Sequence, residues 1–313
     1  MKIVFLDAKT IGEDIDLSGF DALGEVVKYG FSIAQEARER SKDADVLILN
    51  KVQVNEQTIG EADHLKLVCV TATGTNNLDK EYLDKRGIAW RNVAGYSTES
   101  VAQHTFAMLF YLLEKLPYYD NYVKSEKYVN DVSFTHFAKA FHELSGMTYG
   151  IIGLGNIGRR VADIAKAFGC RVIYYSTSGR NSQPGYERVS FDELLEQSDI
   201  VSIHAPLDEN TLGLMNKEAF AKMKKSAILL NVGRGPIINE ADLAEALNNK
   251  TIAAAGLDVL SVEPMQEDNP LRGIKDSERL LITPHIAWAG VEARNRLMGI
   301  ILGQIKEFFK AHE

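Results

Sequence analysis

The sequence predicts an α/β protein made of two doubly wound parallel-sheet domains, and three observations lead to this prediction. Strand-like and helix-like segments alternate along all 313 residues, a pattern that is typical of parallel sheets. The first hundred residues hold enough strand-like segments for a small open sheet of their own. A second series of such segments begins near Gly146 and opens with a glycine-rich turn, as in dinucleotide-binding folds.

Short runs rich in apolar residues predict the strands of both domains. In the first series the predicted strands are Lys2–Leu6, Glu25–Tyr29, Val46–Asn50, Leu67–Thr71 and Ala89–Val93. In the second series they are Tyr149–Leu154, Arg171–Tyr175, Ile200–His204, Ala227–Asn231, Ala253–Asp258 and Leu280–Thr283. Helical segments such as Ser32–Ser41 and Lys80–Arg86 separate the strands.

A long helical pattern, Thr98–Lys124, stands between the two series, with Thr98 and Ser100 as candidate caps. Its apolar residues are dense, so we expect one helix that is buried on several sides at a domain junction or subunit interface. Helix breakers are scarce beyond it, and Tyr118–Phe141 is expected to lie as an arm on a second subunit of a homodimer. The stretch from Val291 onward predicts one amphipathic helix that packs on the first domain.

Composition argues against several classes of function. The chain has 35 basic and 43 acidic residues and no basic tract, so we expect no nucleic-acid partner. It has no stretch of 18 apolar residues and no signal-peptide pattern, so we expect no membrane span. Cys69 and Cys170 stand in apolar surroundings, which suggests reduced thiols in the cytoplasm, and they form no Cys-x-x-Cys pair, so no metal site is expected.

The glycine-rich turn carries the Gly-x-Gly-x-x-Gly fingerprint of dinucleotide binding. Gly153 permits the tight turn, Gly155 lets the backbone approach a pyrophosphate, and Gly158 lets the helix pack closely on the strand. Asn156 and Ile157 lie within the same turn, where N–H groups at the start of the helix point to phosphates. Because the turn lies between a strand and an amphipathic helix, the context favours nucleotide binding over a chance glycine cluster.

The end of the next strand points to the choice of cofactor. An NAD-binding unit would place an acidic residue at Ser176 to bind the ribose hydroxyls. Here the loop reads Ser176-Thr177-Ser178-Gly179-Arg180, with several hydroxyls, one cation and no carboxylate. Such a loop would hold a 2′-phosphate that a carboxylate would repel. The sequence therefore favours NADP, while NAD or dual use stays open because Arg180 can also be solvated.

Three ionisable residues follow strands of this second domain, at the sheet edge where ligands of open parallel sheets bind. Arg234 follows Asn231, Glu263 follows Asp258, and His285 follows the last strand. Taken singly, each is more simply interpreted as a surface ion pair, a solvated loop residue or a turn residue. Together they supply a guanidinium, a carboxylate and an imidazole at corresponding strand ends, which predicts a catalytic set.

These motifs resemble those of the D-isomer-specific 2-hydroxyacid dehydrogenases over nearly the full chain. The resembling segments are Thr73–Asp79, Asn92–Thr105, Gly153–Gly158, Asn231–Gly235, Gly256–Asp258, Glu263–Pro264 and Pro284–His285. The resemblance implies a flavodoxin-like substrate domain at 1–98 and 288–313, with a Rossmann dinucleotide-binding domain inserted at 99–287. It also implies a site between the domains, with hinges near Glu99 and Trp288.

The resemblance implies the following catalytic roles. Arg234 would hold the carboxylate and carbonyl of a 2-oxo acid, for which a permanently charged fork is well suited. His285 would protonate the carbonyl oxygen as hydride arrives from the nicotinamide. Glu263 would hydrogen-bond the imidazole and stabilise its protonated form.

Binding roles are implied by the same resemblance. One turn of the first domain would bind the substrate carboxylate through the backbone of Thr73, Gly74 and Thr75. Asp258 would contact the nicotinamide carboxamide, and His204 would form a wall of the cofactor site rather than an acid. The other positions expected along the cofactor are Thr105, Ser176, Thr177, Arg180, Ala205, Pro206, Val232, Gly233, Arg234, His285 and Ala287.

The predicted function is that of an oxidoreductase that transfers hydride from NADPH or NADH to a small 2-oxo acid, giving a D-2-hydroxy acid. The segments Gly74–Asn77 and Pro284–Trp288 look most like those of hydroxypyruvate or glyoxylate reductases, which are D-glycerate dehydrogenases. A D-lactate dehydrogenase acting on pyruvate is the alternative within the family. A corepressor-like protein that senses NAD(P) is the alternative outside enzymes, and the presence of all three catalytic residues favours the enzyme.

Overall fold

The computed structural model describes residues 1–180, 183–276 and 278–312, and within them the chain forms two compact units. One unit combines Met1–Ser97 with the segment that begins at Ala289, and the other spans Thr98–Trp288. The second unit is therefore an insertion in the chain of the first.

The strands lie within two residues of their predicted ends, except for one short strand that was not predicted. Apolar residues such as Leu6 stay buried just beyond the end of a strand, so apolar runs overestimate strand length. The strands are β1 (Lys2–Phe5), β2 (Glu25–Lys28), β3 (Val46–Leu49), β4 (Leu67–Val70), β5 (Ala89–Arg91), β6 (Thr148–Ile152), β7 (Arg171–Tyr175), β8 (Glu187–Arg188), β9 (Ile200–Ile203), β10 (Ile228–Asn231), β11 (Ala254–Leu257) and β12 (Leu280–Ile282).

Most of the helices connect consecutive strands of one sheet in crossovers, as parallel pairing requires. They are α1 (Ala34–Ser41), α2 (Glu56–Ile59), α3 (Lys80–Arg86), α4 (Thr98–Leu113), α5 (Leu116–Lys124), α6 (Asn156–Ala167), α7 (Phe191–Gln197), α8 (Lys217–Lys222), α9 (Glu240–Asn248) and α10 (Val291–Lys310).

In the described residues, the first unit has a parallel sheet in the order β2-β1-β3-β4-β5, which is the flavodoxin-like order. The inner strands β3 and β4 are buried along their whole length, as expected for a sheet covered on both faces. The helix α10 belongs to this unit and buries Leu297, Ile301 and Ile305 along one side. In its first turn, Arg294 donates to the Ile11 carbonyl oxygen and pairs with Asp14.

In the described residues, the second unit has a parallel sheet in the order β12-β11-β10-β9-β6-β7-β8. Counted from β6, this is the dinucleotide-binding order 3-2-1-4-5-6 with one further strand, so the predicted fold class is confirmed. The sequence predicted six strands, and the structure adds β8, which pairs with β7 through Ile173 with Glu187 and Tyr174 with Arg188. A charged two-residue strand has no periodicity that sequence patterns detect.

The prediction of a single helix over Thr98–Lys124 is wrong. The helix α4 ends at Leu113, α5 begins at Leu116, and Lys115 between them has a φ of 55°. Pro117 stands in the first turn of α5, where its missing N–H is harmless, but it would break a helix that continued through it. The helix α4 is buried on several sides, as expected, and packs on α6, β10 and β11.

Candidate active site

The turn that follows β6 has the geometry of a phosphate-binding turn. Gly153 has a φ of 91°, and a Cβ there would lie 2.7 Å from the backbone nitrogen of Ala205. A Cβ on Gly158 would clash with the carbonyl oxygen of Gly153, so α6 approaches β6 this closely only with glycine. A Cβ on Gly155 would meet nothing within 4 Å, so the space beside this residue is open.

The N-terminus of α6 offers backbone donors at the same turn. Gly155 is the N-cap, and no side chain of the described residues caps the helix. The first N–H groups of a helix have no acceptor within it, and they stabilise anions together with the helix dipole. The open space beside Gly155 and these donors fit a bound pyrophosphate.

The loop that follows β7 contains a buried hydroxyl with no partner. Ser176 is 4% exposed, and its Oγ has no hydrogen-bond partner among the described residues. Leaving a buried polar atom unpaired costs about 1–3 kcal/mol, so this atom indicates a position that a ligand completes. Thr177 is half-buried and Arg180 is exposed on the same loop.

A second guanidinium, which sequence patterns did not indicate, lies near this loop. The Nη2 of Arg188, on β8, lies 4.0 Å from the point that a Cβ of Gly179 would occupy. The pairing of β8 with β7 brings Arg188 there. The signal that was available is the place of this segment as the third strand of the first mononucleotide-binding half.

The histidine that follows β9 has the environment of a neutral ring. The Nε2 of His204 lies 2.9 Å from the Oγ of Ser202, while its Nδ1 is enclosed and has no partner among the described residues. Burial lowers the pKa of this ring from 6.5 to about 3, so it carries no charge at neutral pH. Beside it, the carbonyl oxygen of Ala205 lies 3.0 Å from the point that a Cβ of Gly233 would occupy.

The turn that follows β10 presents Arg234. Asn231 shapes this turn, because its Nδ2 donates to the Arg234 carbonyl oxygen and its Oδ1 accepts from the Gly233 N–H, both at 3.0 Å. The Nη1 of Arg234 donates to the Gly233 carbonyl oxygen at 2.8 Å. The other donors of this part-buried guanidinium have no partner among the described residues, so they are available to an anionic ligand.

Glu263 and His285 form a hydrogen-bonded pair. The Oε2 of Glu263 lies 2.7 Å from the Nδ1 of His285, and its Oε1 accepts from the Leu260 N–H at 3.0 Å. A carboxylate accepts hydrogen bonds, so the Nδ1 carries a hydrogen and the Nε2 is left to exchange a proton with a ligand. The side chain of His285 is 28% exposed and that of Glu263 is 30% exposed, which leaves the ring accessible.

Asp258 holds the segment that carries His285, residues 283–288, which we call the His285 loop. Its side chain is 1% exposed and accepts from the Thr283 Oγ1 at 2.6 Å and from the N–H groups of Ile286 and Ala287 at 2.9 Å. The backbone of His285 has a φ of 55° and donates to the Asp258 carbonyl oxygen at 2.8 Å. A carboxylate has about four lone-pair sites, so one remains for a ligand donor.

The other predicted binding positions are divided between the two units. Thr105 is buried on α4, and its hydroxyl donates to the Val101 carbonyl oxygen at 2.8 Å. Pro206 and Val232 lie just after β9 and β10. In the first unit, Thr73, Gly74 and Thr75 form a turn after β4 whose backbone N–H groups have no acceptor among the described residues.

The sheet order explains how the three catalytic candidates come to one edge. The strands β12, β11 and β10 are consecutive neighbours, and all of them run parallel. His285, Glu263 and Arg234 each follow the carboxyl end of one of these strands. The structure joins His285 to Glu263 directly and places Arg234 after the next strand.

A sequence model of the D-isomer specific 2-hydroxyacid dehydrogenase NAD-binding domain matches residues 106–287. The chain belongs to the D-isomer-specific 2-hydroxyacid dehydrogenase family. It is 39% identical to a hydroxypyruvate reductase of Blautia hydrogenotrophica, over 99% of this chain and 97% of that one. As a member of this family, the protein is an oxidoreductase that acts on CH–OH donors with a nicotinamide cofactor.

Two solved structures share the fold of this dehydrogenase over nearly its full length. An acyclic imino acid reductase in complex with NADPH and D-Arg superposes with a TM-score of 0.87 at 28% identity, over 99% of this chain and 98% of that one. A D-lactate dehydrogenase from Aquifex aeolicus with NAD and lactic acid superposes with a TM-score of 0.85 at 27% identity, over 99% and 96%. No described helix of this dehydrogenase has the length and apolar character to cross a membrane.

Proposed function

We propose that the protein reduces hydroxypyruvate or glyoxylate to the corresponding 2-hydroxy acid, which for hydroxypyruvate is D-glycerate, with NADPH or NADH. The observation that carries the proposal is the 2.7 Å contact of His285 with Glu263, which prepares the ring as a proton donor. The similarity to a hydroxypyruvate reductase over almost the whole of both chains supports the choice of substrate.

The residues of the site divide the work of reduction between them. The nicotinamide supplies the hydride when it is bound. Arg234 binds the substrate carboxylate with donors that no described residue occupies, and a planar fork suits this better than an ammonium. The Nε2 of His285 gives a proton to the carbonyl oxygen, and Glu263 stabilises the protonated ring from the opposite nitrogen.

Further residues orient the ligands in this proposal. Asp258 keeps the His285 loop in place and offers its remaining lone pair to the nicotinamide carboxamide. His204, Ala205, Pro206, Val232, Gly233, Ala287 and Thr105 stay predicted cofactor contacts. The backbone of Thr73, Gly74 and Thr75 stays the predicted binding element for the substrate carboxylate.

A matrix of substrates against cofactors tests the proposed reaction. Hydroxypyruvate, glyoxylate and pyruvate are each assayed with NADPH and NADH, and the chirality of the product is determined. We expect the highest kcat/KM with hydroxypyruvate or glyoxylate and a D-product wherever the product is chiral. A clear preference for pyruvate would make the protein a D-lactate dehydrogenase, and no turnover with any pair would favour a nucleotide-sensing binding protein.

We propose that NADPH is preferred over NADH. Position 176 carries a serine and no carboxylate that would repel a 2′-phosphate. The guanidinium of Arg188 lies near the loop that contains Arg180. Two cations near a phosphate form charge-assisted hydrogen bonds that a ribose hydroxyl does not match.

Two substitutions test the cofactor preference. Ser176→Asp and Arg188→Ala should each lower kcat/KM for NADPH while leaving that for NADH unchanged or, for Ser176→Asp, improved. Arg296→Ala removes an exposed arginine from α10 and serves as the matched control. Equal changes with both cofactors would show that these residues do not contact the 2′ position.

We propose that the protein is a homodimer in which the second copy covers the arm, residues 118–141. Val132, Phe134 and Phe137 in the arm are 103%, 87% and 88% exposed. Large apolar side chains concentrated in one exposed segment are typical of protein interfaces. Phe134→Glu with Phe137→Glu should give a monomer in analytical ultracentrifugation, whereas Phe31→Glu, at an exposed phenylalanine outside the arm, should not.

We also propose a cytoplasmic location on the basis of the cysteines. Cys69 and Cys170 are buried free thiols, and burial raises their pKa to about 12 and about 11. Unpaired thiols are typical of reducing compartments, and cell fractionation tests the location.

A further inference from the structure

We infer that His104 is a positioning residue for the reduction: through Thr283 and Asp258 it fixes the loop that presents His285. The inference rests on the proposed role of His285 as the proton donor. His104 lies on α4, away from the strand ends that carry the catalytic candidates, and no sequence motif indicates a role for it. Its side chain is 20% exposed, so most of the ring is enclosed.

The direction of the hydrogen bonds follows from the available hydrogens. The Oγ1 of Thr283 lies 2.6 Å from the Oδ1 of Asp258, and the Nε2 of His104 lies 3.1 Å from the same Oγ1. Both carboxylate oxygens of Asp258 already accept backbone N–H groups. The hydrogen between the Thr283 Oγ1 and the Asp258 Oδ1 is therefore that of the Thr283 hydroxyl. The hydroxyl therefore accepts from His104, and the Nε2 of His104 carries a hydrogen.

The chain of donors ends on the carboxylate that holds the His285 loop. Asp258 accepts from the N–H groups of Ile286 and Ala287, the two residues that follow His285. The φ of 55° at His285 is unfavourable for a side chain with a Cβ, and such backbone persists only where its surroundings hold it. The direction of the His285 ring therefore depends on the position of the Asp258 carboxylate.

His104 is the ionisable group that faces this carboxylate. Its Nε2 lies 3.6 Å from the Oδ1 of Asp258, and no lysine or arginine of the described residues pairs with Asp258 within 4.0 Å. A buried carboxylate requires donors around it, and here a helix supplies one of them through the threonine hydroxyl. The helix α4 is a firm support, because Val101, Thr105 and Met108 around His104 are buried.

A matched pair of substitutions at His104 tests the role of the donated hydrogen. His104→Gln places an amide N–H at nearly the distance of the Nε2, whereas His104→Met has a similar length and no donor. We expect His104→Met to lower kcat by roughly 10- to 100-fold, as small misplacements of catalytic groups do, with little change in the Kd for NADPH. His104→Gln should restore most of kcat, and His64→Met, at an exposed histidine, should have no effect.

Tryptophan fluorescence provides a readout that does not depend on turnover. The indole Nε1 of Trp288 donates to the His285 carbonyl oxygen at 2.9 Å, so its emission reports on the His285 loop. The chain has two tryptophans, and Trp90→Phe leaves Trp288 as the only one. In this background we expect His104→Met to change the emission and acrylamide quenching of Trp288, and His104→Gln to leave both near those of the parent.

The combined outcomes decide the inference. A lower kcat with altered Trp288 emission in His104→Met, and recovery of both in His104→Gln, would support it. It is overturned if folded His104→Met keeps the parent kcat, if kcat falls while Trp288 is unchanged, or if His104→Gln is as impaired as His104→Met. If the parent enzyme turns over no substrate, the proposed function fails, and the Trp288 comparison alone still decides whether His104 positions the loop.

A second pair covers the case in which His104→Met does not fold. Thr283→Val removes the hydroxyl between His104 and Asp258 at nearly the same volume, and Thr283→Ser keeps it. We expect Thr283→Val to lower kcat and change the Trp288 emission, and Thr283→Ser to leave both near those of the parent. Identical kcat and emission in the two variants would overturn the inference.

Discussion

The loops that follow β9 and β12 each present a histidine at the same edge of one sheet, yet their surroundings differ. His204 has an enclosed Nδ1 with no partner among the described residues, and burial lowers its pKa to about 3. His285 has its Nδ1 2.7 Å from the carboxylate of Glu263 and keeps 28% of its side chain exposed. The partner of its Nδ1 and its exposure, rather than its place in the sheet, therefore make His285 the candidate for proton transfer.

A similar contrast separates the loops that follow β6 and β7 from the loop that follows β11. After β7 the Ser176 Oγ has no partner among the described residues, and after β6 Gly155 leaves open space. After β11, Asp258 and Glu263 are already bonded to the protein's own groups. We therefore expect a ligand to complete the loops after β6 and β7, whereas the protein itself orients Asp258 and Glu263.

The largest loss of kcat is expected when His285 is replaced by glutamine, and the same replacement at His204 serves as the comparison. His285→Gln removes the proposed proton donor and should lower kcat by roughly 10²–10⁴-fold, the usual range for general acid–base groups. His204→Gln should act mainly on the KM for the cofactor, because its neutral ring gives no proton. Steady-state kinetics in which NADPH and the 2-oxo acid are varied in turn measure both, and a larger loss of kcat at His204 would reverse the comparison.

A smaller loss is expected from Arg234→Lys, which keeps the charge but loses the planar fork. The single ammonium cannot bond two carboxylate oxygens side by side, so KM for the 2-oxo acid should rise and kcat should fall. A combined loss in kcat/KM of roughly 10²-fold is expected for such misplacement. Arg296→Lys, on α10, is the control, and an equal response of both variants would remove Arg234 from the substrate site.

The sequence predicted the parts of this site that local pattern determines. The turn at Gly153 needs a positive φ. The carboxyl ends of parallel strands meet at one edge, so strand order alone placed Arg234 and His285 at that edge. Arg188 was missed because its strand is two residues long, and the break at Lys115 was missed because the apolar pattern continues through it. The link from His104 to Asp258 was not predictable, because it joins residues that are distant in sequence and depends on the direction of individual hydrogen bonds.

A more modest effect is expected when Glu263 loses its charge. Glu263→Gln keeps a side chain of the same shape but no longer stabilises the protonated ring of His285, so reductase activity should fall at a lower pH than in the parent. The effect appears on the alkaline side because reduction consumes the protonated ring. A pH profile of kcat/KM from pH 6 to 9 measures it, with Glu267→Gln, an exposed glutamate nearby in sequence, as the control. An unchanged profile would show that the pair does not act in proton transfer.

The smallest effect is expected at His204 and concerns stability rather than rate. The pKa of its ring is about 3 in the folded chain, against an ordinary value of 6.5, so the unfolded chain binds one more proton between these two pH values. Stability from the neutral ring is complete above pH 6.5 and is lost as the pH falls toward 3, by at most about 1.4 kcal/mol for each pH unit. His204→Gln should therefore lose less stability than the parent between pH 7 and pH 5, while His64→Gln, at an exposed ring, should behave as the parent does.

Nuclear magnetic resonance of the histidine rings checks the same expectation directly. The His204 signals, assigned by their absence from His204→Gln, should not move between pH 8 and pH 5, because a ring enclosed without a carboxylate gains nothing from a proton. If His204 titrated like an exposed ring, burial would not distinguish the two loops, and the contrast between a ring that forms a wall and a ring that donates a proton would fail.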